Sequence, residues 1–412
     1  MHYGGPKLIW NNNMRFGKIL PILAATALLS ATSAIAQPIK VGLTGPFTGG
    51  SASMGVSMRD GVKIAVEEIN KNGGVLGRPL LLVERDDQAR NEVGVQIAQE
   101  LISKEEVVAT LGFINTGVAL ASQRFYQEAE IPVINNVATG TLITKQFLPP
   151  DNKNNYVFRT SANDVIQSGM MADEAIGRRG FKKPAILADS TNYGQLGRAD
   201  LEKALAAKNI TPVAIEKFNI GDTDMTSQLL RAKQADADVI LTYGIGPELA
   251  QIANGMAKLG WKVPIIGSWT LSMSTFIDNA GANGEGATMP QTFIQTPNTP
   301  RRKAFIEAYQ AATKLDRIPS PISAAQGYDS VYLLAAAITQ AKSTDGAKIR
   351  AALENLNTKV EGVVTIYDHP YSATDHEAIT ANIPVFGMVK NGRVVIAHEE
   401  DIAGDKAVRL KN

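Results

Sequence analysis

The segment IKVGLTGPFTGGSASMGVSMRDGVKIAVEEINKNGGVLGRPLLLV (residues 39–83) contains two short apolar runs separated by a longer amphipathic stretch. Residues 39–43 and 80–83 are typical of strands, because both runs are short and rich in aliphatic side chains. Apolar residues recur at helical spacing over residues 55–72, and Gly73-Gly74 then ends the helix. Strand, helix and strand in this order predict a parallel sheet covered by helices.

The same alternation continues along most of the chain. We predict further helices over residues 93–103, 117–128, 164–178, 197–208, 226–235 and 247–259, and strands over residues 107–111, 131–134, 185–188, 213–218, 239–242 and 263–266. A second round of the pattern begins near residue 157. The chain is therefore predicted to be an α/β protein with two doubly wound parallel-sheet lobes.

The pattern changes from about residue 296. Here we predict helices over residues 300–313, 321–341 and 347–356, and β-like segments over residues 360–367, 383–389 and 393–397. Asn391-Gly392 lies between the last two segments and is a strong signal for a two-residue hairpin turn. No low-complexity linker separates the two units, which favours several short crossings between them over a flexible tether.

Composition excludes several classes of function. The chain has 412 residues, and its formal net charge of +1 gives no electrostatic footprint for nucleic acid. It contains no cysteine, which excludes disulfides, thiolate catalysis and cysteine-based zinc sites. We therefore expect no nucleic-acid partner.

The N-terminal residues have the order of a secretory signal peptide. Arg15 and Lys18 precede an apolar run over residues 19–29, and Ala34-Ile35-Ala36 ends the segment. We predict a signal peptide over residues 1–36, with Met14 as an alternative start, and a periplasmic location after cleavage. The other interpretations are a short N-terminal anchor and a buried helix.

Small polar residues follow the predicted strands of the first unit, where ligands of open α/β sheets bind. Asn115 and Thr116 follow the third strand, and Val137 and Thr139 follow the fourth. Free N–H groups at a helix start attract anions, and threonine hydroxyls add donors. Helix capping is the favoured explanation for any single threonine, but two such loops on adjacent strands could together cradle a carboxylate.

Aromatic side chains occupy the matching positions of the second unit. Tyr193, Tyr243 and Trp269 each follow a predicted strand. Aromatic rings offer a large contact area to a ligand. The alternative interpretation is packing between the lobes or in the core.

Signals for catalysis are poor. The glycine-rich loop over residues 45–51 lacks the pattern of a phosphate loop or a dinucleotide site, and no nucleophile elbow precedes the late histidines. Asp86-Asp87 is a carboxylate pair, but adjacent strand residues point to opposite faces, so we interpret the pair as solvated or structural. We predict no catalytic residue, no metal site and no cofactor.

The same stretches resemble the leucine/isoleucine/valine-binding protein family, the periplasmic components of branched-chain amino-acid ABC importers. The resemblance covers essentially all of residues 37–412 in order. Its matching segments are residues 40–49, 69–80, 86–87, 112–116, 138–139, 158–160, 192–194, 327–329 and 389–392.

The resemblance implies a type I periplasmic binding fold, in which two lobes joined by three hinge crossings close on a ligand like a flytrap. The crossings should fall near residues 159–162, 290–296 and 367–384. Lobe 1 should then comprise residues 37–160 plus 293–367, and lobe 2 residues 161–292 plus 368–412.

The family's binding residues transfer onto particular positions of this chain. The resemblance implies that Thr116, Thr139 and the backbone of Val137 bind the ligand carboxylate and that Tyr193 contacts the ligand from lobe 2. Trp269 stands where leucine-binding members have a glutamate that faces the ammonium group, and Met54 stands where they have an aromatic residue near the entrance.

Several expectations about ligand and partners follow from the resemblance. The ligand is a branched-chain or related amino acid, or alternatively an aromatic acid or other small carboxylate that lacks an ammonium group. The partners are the permease subunits of an ABC transporter in the inner membrane, and we expect a monomer. A ligand-sensing receptor domain is the remaining alternative.

Overall fold

The computed structural model describes Met1 and residues 37–150, 152–401 and 409–411. The predicted signal peptide lies outside the described residues, apart from Met1. No helix in these described ranges has the length and apolar character needed to span a membrane. The strands and helices described below all belong to one unit, Ala36–Asn412.

The first sheet has five strands, all parallel, and follows from the alternation at the start of the chain. Its strands are β1 (Ile39–Gly45), β2 (Leu80–Asp86), β3 (Ala109–Gly112), β4 (Val133–Asn135) and β5 (Val157–Arg159), in the order β2-β1-β3-β4-β5. Its connecting helices are α1 (Ala52–Lys71), α2 (Asn91–Ser103) and α3 (Thr116–Glu128). Every residue of β3, β4 and β5 is buried, as expected for strands covered on both faces.

The next part of the chain supplies most of a second sheet. Its strands are β6 (Pro184–Asp189), β7 (Ala214–Phe218), β8 (Val239–Tyr243), β9 (Ile265–Gly267) and β10 (Thr288–Gln291), and these five run parallel to one another. Its helices are α4 (Asp164–Ala172), α5 (Asn192–Ala206), α6 (Thr226–Gln234), α7 (Glu248–Lys258) and α8 (Ser274–Ala280). A π-helical segment, Asp173–Arg178, continues α4.

Three helices and two pairs of strands complete the fold. The helices are α9 (Pro300–Thr313), α10 (Pro321–Ala341) and α11 (Gly346–Glu354). The strands are β11 (Val360–Glu361), β12 (Ile366–Tyr367), β13 (Val385–Lys390) and β14 (Arg393–Ile396). The first pair forms a separate hairpin, whereas β13 joins β10 in antiparallel orientation and β14 extends the second sheet.

Helix α10 returns to the first sheet, because it packs along α1. Gly61 of α1 permits this contact, since a Cβ atom there would lie 2.1 Å from the carbonyl oxygen of Ala324. The late helices therefore belong beside β1–β5, whereas the late strands extend the other sheet. This arrangement agrees with the course that the resemblance implied, although the exact lobe boundaries stay a prediction.

The chain approaches the first sheet once more through residues 376–378. Arg159 N–H donates to the carbonyl of His376 at 3.0 Å, and Ala378 N–H donates to the carbonyl of Arg159 at 3.0 Å. The Arg159 guanidinium pairs with Glu377 and donates to the carbonyl of Gly140 at 2.7 Å. Residues 376–378, which belong to the third predicted crossing, are thereby fixed to the edge of β5, close to the loop that follows β4.

Predictions with a strong local signal are confirmed. Helices α9 and α10 have the predicted bounds, and a proline at the first helical position explains why each start was clear. The hairpin turn also lies where it was predicted, with Asn391 and Gly392 at φ angles of 53° and 70°. Positive φ at both positions is the geometry that Asn-Gly favours.

Three assignments were wrong or missing. The segment near residue 157 is not the start of the second round of the pattern, because it forms β5, which pairs with β4 in the first sheet, as the lobe boundary implied by the resemblance also requires. The predicted strand over residues 360–367 is broken by a turn, because the Asp329 carboxylate accepts bonds from the N–H groups of Val363 and Val364 at 2.7 and 2.9 Å. Strand β10 was not predicted, because Pro290 at its centre argues against an ordinary interior strand.

Candidate functional site

A small cavity lies where the loop after β4, the segment after β9 and helix α10 meet. Residues from each of the three segments predicted as hinge crossings also line this cavity. Its lining residues are Val137, Thr139, Ser161, Ala162, Gln167, Trp269, Pro290, Gln291, Thr292, Ile322, Gln326 and Pro384. None of these described lining residues is ionisable.

Three polar atoms of the cavity wall are buried without a hydrogen-bond partner in the part of the chain that the structure describes. They are Thr139 Oγ1, Trp269 Nε1 and Gln326 Oε1, on residues that are 3%, 5% and 1% exposed. An unsatisfied buried polar group costs about 1–3 kcal/mol. Buried polar groups in proteins nearly always find a partner, so this cavity is suited to a ligand with complementary polar groups.

Two glutamine side chains hold the backbone of Trp269. Gln167 Oε1 accepts the Trp269 N–H at 3.0 Å, and Gln291 Nε2 donates to the Trp269 carbonyl at 3.3 Å. Because Gln167 lies in α4 and Gln291 ends β10, two separate elements fix this residue. The backbone of Trp269 is therefore fixed at a position from which its indole lines the cavity.

Thr116 lies beside this site but not in the cavity wall. It is the first residue of α3, and its Oγ1 accepts the N–H of Gly140 at 3.3 Å. The hydroxyl keeps its own proton to donate. Gly140 is required for this close contact, because a Cβ atom there would lie 2.3 Å from Thr116 Cγ2. The two threonine loops predicted as a carboxylate cradle are thus in contact.

Asn115 and Met54 are also placed outside the cavity wall. Asn115 precedes α3, and its Nδ2 donates to Ser51 Oγ at 3.4 Å. Its Oδ1 is buried and has no partner among the residues described. Met54 is buried on α1 and packs in the hydrophobic core. Their predicted contacts with a ligand stay predictions.

Of the three predicted aromatic residues, only Trp269 lines the cavity. The rings of Tyr193 and Tyr243 pack edge to face with centroids 5.5 Å apart, and both are buried. Tyr193 OH donates to Ser268 Oγ at 2.7 Å, while Tyr243 OH shares a hydrogen bond of 3.0 Å with Ser168. Burial raises the pKa of both phenols well above its ordinary value. The two tyrosines therefore pack against each other outside the cavity wall, and their predicted contacts with a ligand stay predictions.

Asp164 was missed by the sequence analysis. It is fully buried at the first position of α4, and its N–H donates to the carbonyl of Thr139 at 2.9 Å. Neither carboxylate oxygen has a hydrogen-bond partner in the described ranges. Burial raises the pKa of Asp164 to about 7, although the nearby Thr139 hydroxyl and Arg159 charge offset part of this effect. An acidic residue is so common at a helix start that this burial could not be recognised from the local sequence.

The carboxylate pair Asp86-Asp87 has a structural role. Asp86 accepts bonds from Phe47 N–H at 2.9 Å and from Thr48 Oγ1 at 2.7 Å, so it holds the loop after β1. The solvated interpretation is wrong for Asp87, which is fully buried and accepts the N–H of Ala89 at 2.9 Å. Burial raises the pKa of Asp87 to about 6.

The described side chains include no group of three or more His, Asp or Glu residues that could hold a metal ion. The unpartnered polar atoms are instead a hydroxyl, an indole N–H and an amide oxygen of the cavity wall, together with the carboxylate of Asp164, which is buried outside that wall. Such a set binds by hydrogen bonds and charge.

Comparisons with known proteins agree with this geometry. The family model described as "Periplasmic binding protein" matches residues 38–393. The Leu/Ile/Val-binding protein homolog 3 of Brucella melitensis is 30% identical over 340 residues, which cover 82% of this chain and 89% of that protein. A leucine-, isoleucine-, valine-, threonine- and alanine-binding protein of Pseudomonas aeruginosa is 28% identical over 342 residues, covering 82% of this chain and 88% of that protein.

Solved structures are similar over most of the chain. A type 1 periplasmic binding protein from Bordetella pertussis has a TM-score of 0.78 and 28% identity, covering 87% of this chain and 99% of that one. A leucine-binding protein from Thermotoga maritima has a TM-score of 0.77 and 25% identity, covering 88% and 99%. A solute-binding protein from R. palustris in complex with benzoate has a TM-score of 0.74 at 22% identity, covering 87% and 95%, and shows the fold alone. With two clamping α/β lobes and this match along its length, the chain belongs to the periplasmic binding protein family.

Proposed function

We propose that this protein is the solute-binding component of an ABC importer and that it binds a branched-chain or related amino acid between its lobes. The family match and the named relatives support the transport role. The observation that carries the choice of ligand is that the Thr139 hydroxyl and the Asp164 carboxylate are neighbours. Both are buried and without hydrogen-bond partners in the residues described, and their backbones are hydrogen-bonded to each other.

The carboxylate of the ligand docks at the start of α3. Thr139 donates its free hydroxyl, and Thr116 adds a second one from the first turn of the helix. The N-terminal end of a helix carries partial positive charge, which favours an anion there. Val137 lines the same cavity and contributes backbone contacts.

The ammonium group of the ligand pairs with Asp164. Trp269 stands where the resemblance places a glutamate, so the charge that opposes an ammonium must come from another element. Asp164 is a carboxylate within reach of the Thr139 loop, and burying an ammonium beside it avoids the high cost of an unpaired charge. Trp269 adds a cation–π contact of about 1–2 kcal/mol.

The second candidate ligand is an aromatic acid or another small carboxylate without an ammonium group. The observation in its favour is the neutral cavity wall, which includes Trp269 and no ionisable residue among those described. The benzoate-bound relative indicates that this fold accommodates such ligands. Here Asp164 would remain protonated, which its raised pKa permits.

Closure of the lobes completes the site. Thr141, in the loop after β4, donates to Asp200 of α5 at 2.7 Å, so the first and second α/β units touch near the cavity. A ligand that contacts both units stabilises this closed arrangement. We propose that the closed protein is a periplasmic monomer that delivers its ligand to permease subunits in the inner membrane, after export by a signal peptide over residues 1–36.

A thermal-shift screen tests the proposal. The purified protein is heated with leucine, isoleucine, valine, other amino acids, benzoates and short-chain carboxylates, each at several concentrations. A ligand that binds the folded state raises the melting temperature, increasingly so at higher concentration. We expect an amino acid to give the largest shift. A shift with benzoates alone favours the second candidate, and no shift with any carboxylate contradicts both.

A further inference from the structure

Gln326 presents a free polar atom to the cavity. It lies on α10, it is 1% exposed, and its Nε2 donates to Thr292 Oγ1 at 2.9 Å. Its Oε1 has no partner within the described residues. Whichever end of the amide faces Thr292, the other end stays free for a ligand, because the threonine hydroxyl can either donate or accept.

The indole of Trp269 presents a second free polar atom to the same cavity. Its Nε1–H can only donate, and it has no acceptor among the described residues. The hydrogen bonds from Gln167 and Gln291 fix the backbone of this residue beside the cavity. A ligand in this cavity therefore meets one donor that needs an acceptor and one amide group that needs a partner.

The chemistry of the wall restricts what can satisfy both atoms. The indole N–H of Trp269 and the amide of Gln326 are both neutral, so a charged group of the ligand placed at these two atoms would find no counter-charge there. A purely aliphatic or aromatic group leaves both polar atoms unpaired. A hydroxyl can donate to Gln326 Oε1 and accept from Trp269 Nε1–H through a single oxygen atom.

We propose that the ligand carries a hydroxyl group in addition to its carboxylate, and that Gln326 and the Trp269 indole bind that hydroxyl. The inference rests on the proposed function, since it assumes that a small carboxylate binds at Thr139. It narrows the ligand class from branched-chain or aromatic acids to hydroxylated acids. A site built to bind a hydroxyl rejects the analogue that lacks it far more strongly than an apolar pocket does.

Matched pairs of ligands test the inference by isothermal titration calorimetry. The pairs are threonine and valine, tyrosine and phenylalanine, and 4-hydroxybenzoate and benzoate. Within each pair the two molecules differ in the hydroxyl but share the carboxylate. We expect the hydroxylated member of at least one pair to bind about tenfold or more tightly than its partner.

Two substitutions assign the preference to named residues. Gln326→Met keeps the length of the side chain and Trp269→Phe keeps a ring, while each removes one polar group. Each should abolish most of the preference for the hydroxylated member, so that the affinities of the two members of a pair become nearly equal. Gln99→Met, at an exposed position of α2, is the matched control and should alter neither affinity. Circular dichroism confirms that each variant is folded.

The outcomes separate this inference from the proposed function. Equal affinities within every pair that binds would overturn the hydroxyl assignment and leave the carboxylate site standing. An equal loss for both members in Gln326→Met would show that the glutamine supports only the cavity wall, which also overturns the assignment. If no acid binds the unmodified protein, the proposed function fails, and the inference fails with it.

Discussion

At the scale of single residues, Asp164 combines two properties that folding alone does not favour. It is fully buried, and its carboxylate has no hydrogen-bond partner in the described part of the chain. Buried charges in stable proteins are normally paired. Asp164 is hydrogen-bonded through its backbone to Thr139 of the cavity wall, so we relate its unpaired carboxylate to the proposed ligand.

We predict that Asp164→Asn stabilises the ligand-free protein above pH 7. The folded-state pKa of about 7 lies above the ordinary value of 3.8, so the folded state binds more protons between these two values. The free energy of unfolding therefore falls as pH rises through this window, and the cost is fully present above pH 7. The substitution should recover about 1–3 kcal/mol at pH 8 and little at pH 4, measured by urea unfolding.

The matched control is Asp316→Asn, at an exposed position, which should change stability little at either pH. If an amino acid is the ligand, Asp164→Asn should also weaken binding at least about tenfold, since a charge-assisted hydrogen bond is lost. Unchanged affinity for an amino acid would remove Asp164 from the ammonium site.

A second residue-scale prediction concerns Thr139→Val. The substitution keeps the shape of the side chain but removes the free hydroxyl. A carboxylate ligand should lose about 1.5–3 kcal/mol of binding free energy, because a hydrogen bond to a charged group is removed. Its neutral amide should lose less, as calorimetry with both ligands would measure. Equal losses would argue against a carboxylate at this position.

At the scale of elements, the loop after β4 depends on one close contact with α3. Gly140 leaves space for Thr116 Cγ2, which a Cβ atom would approach to 2.3 Å. We predict that Gly140→Ala displaces Thr116 and thereby weakens ligand binding. It should also destabilise the protein by about 1–3 kcal/mol, as overpacking does. Binding and thermal unfolding should both be measured.

The control for this prediction is Gly169→Ala. Gly169 lies within α4, and a Cβ atom there would meet nothing within 4 Å. Alanine should therefore be neutral or stabilise by up to about 1 kcal/mol, since it is the better helix former. If both substitutions reduce affinity equally, the contact with Thr116 is not the cause.

Elements with local signals could be predicted from the sequence, whereas elements defined by distant partners could not. Pro300 and Pro321 marked helix starts, and Asn391-Gly392 marked a turn, because each acts through its own backbone. Strand β10 owes its existence to pairing with β13, about 100 residues later along the chain. The same limit applies to Asp164 and Gln326, whose importance depends on burial that no local pattern reveals.

At the scale of the whole molecule, the Arg159–Glu377 pair joins a late crossing to the first sheet. Arg159 is fully buried, Glu377 is nearly so, and the guanidinium also holds the carbonyl of Gly140. The pair therefore connects the ligand loop to a segment through which the chain passes towards β13. A movement of this segment should therefore also displace the ligand loop after β4.

We predict that Glu377→Gln destabilises the protein by about 3 kcal/mol, because it leaves a buried guanidinium without its counter-charge. The double variant Arg159→Met/Glu377→Leu should recover part of this loss, since no uncompensated charge remains. Urea unfolding of the single and double variants measures both effects. Asp236→Asn, which breaks the exposed pair with Lys183, is the control and should have a much smaller effect. A loss no larger than that of the control would contradict the prediction.

The order of strands in the second sheet also has a consequence for biosynthesis. Its parallel strands end at Gln291, but the sheet is completed only by β13 and β14, after three helices that include α10, the partner of α1 beside the first sheet. As a nascent chain emerges from its N-terminus, neither half can reach its final packing until nearly all of the sequence has been synthesised. A polypeptide that must be threaded through a translocation pore, as we propose for this one, benefits from such delay, because its topology postpones stable folding until export is well under way.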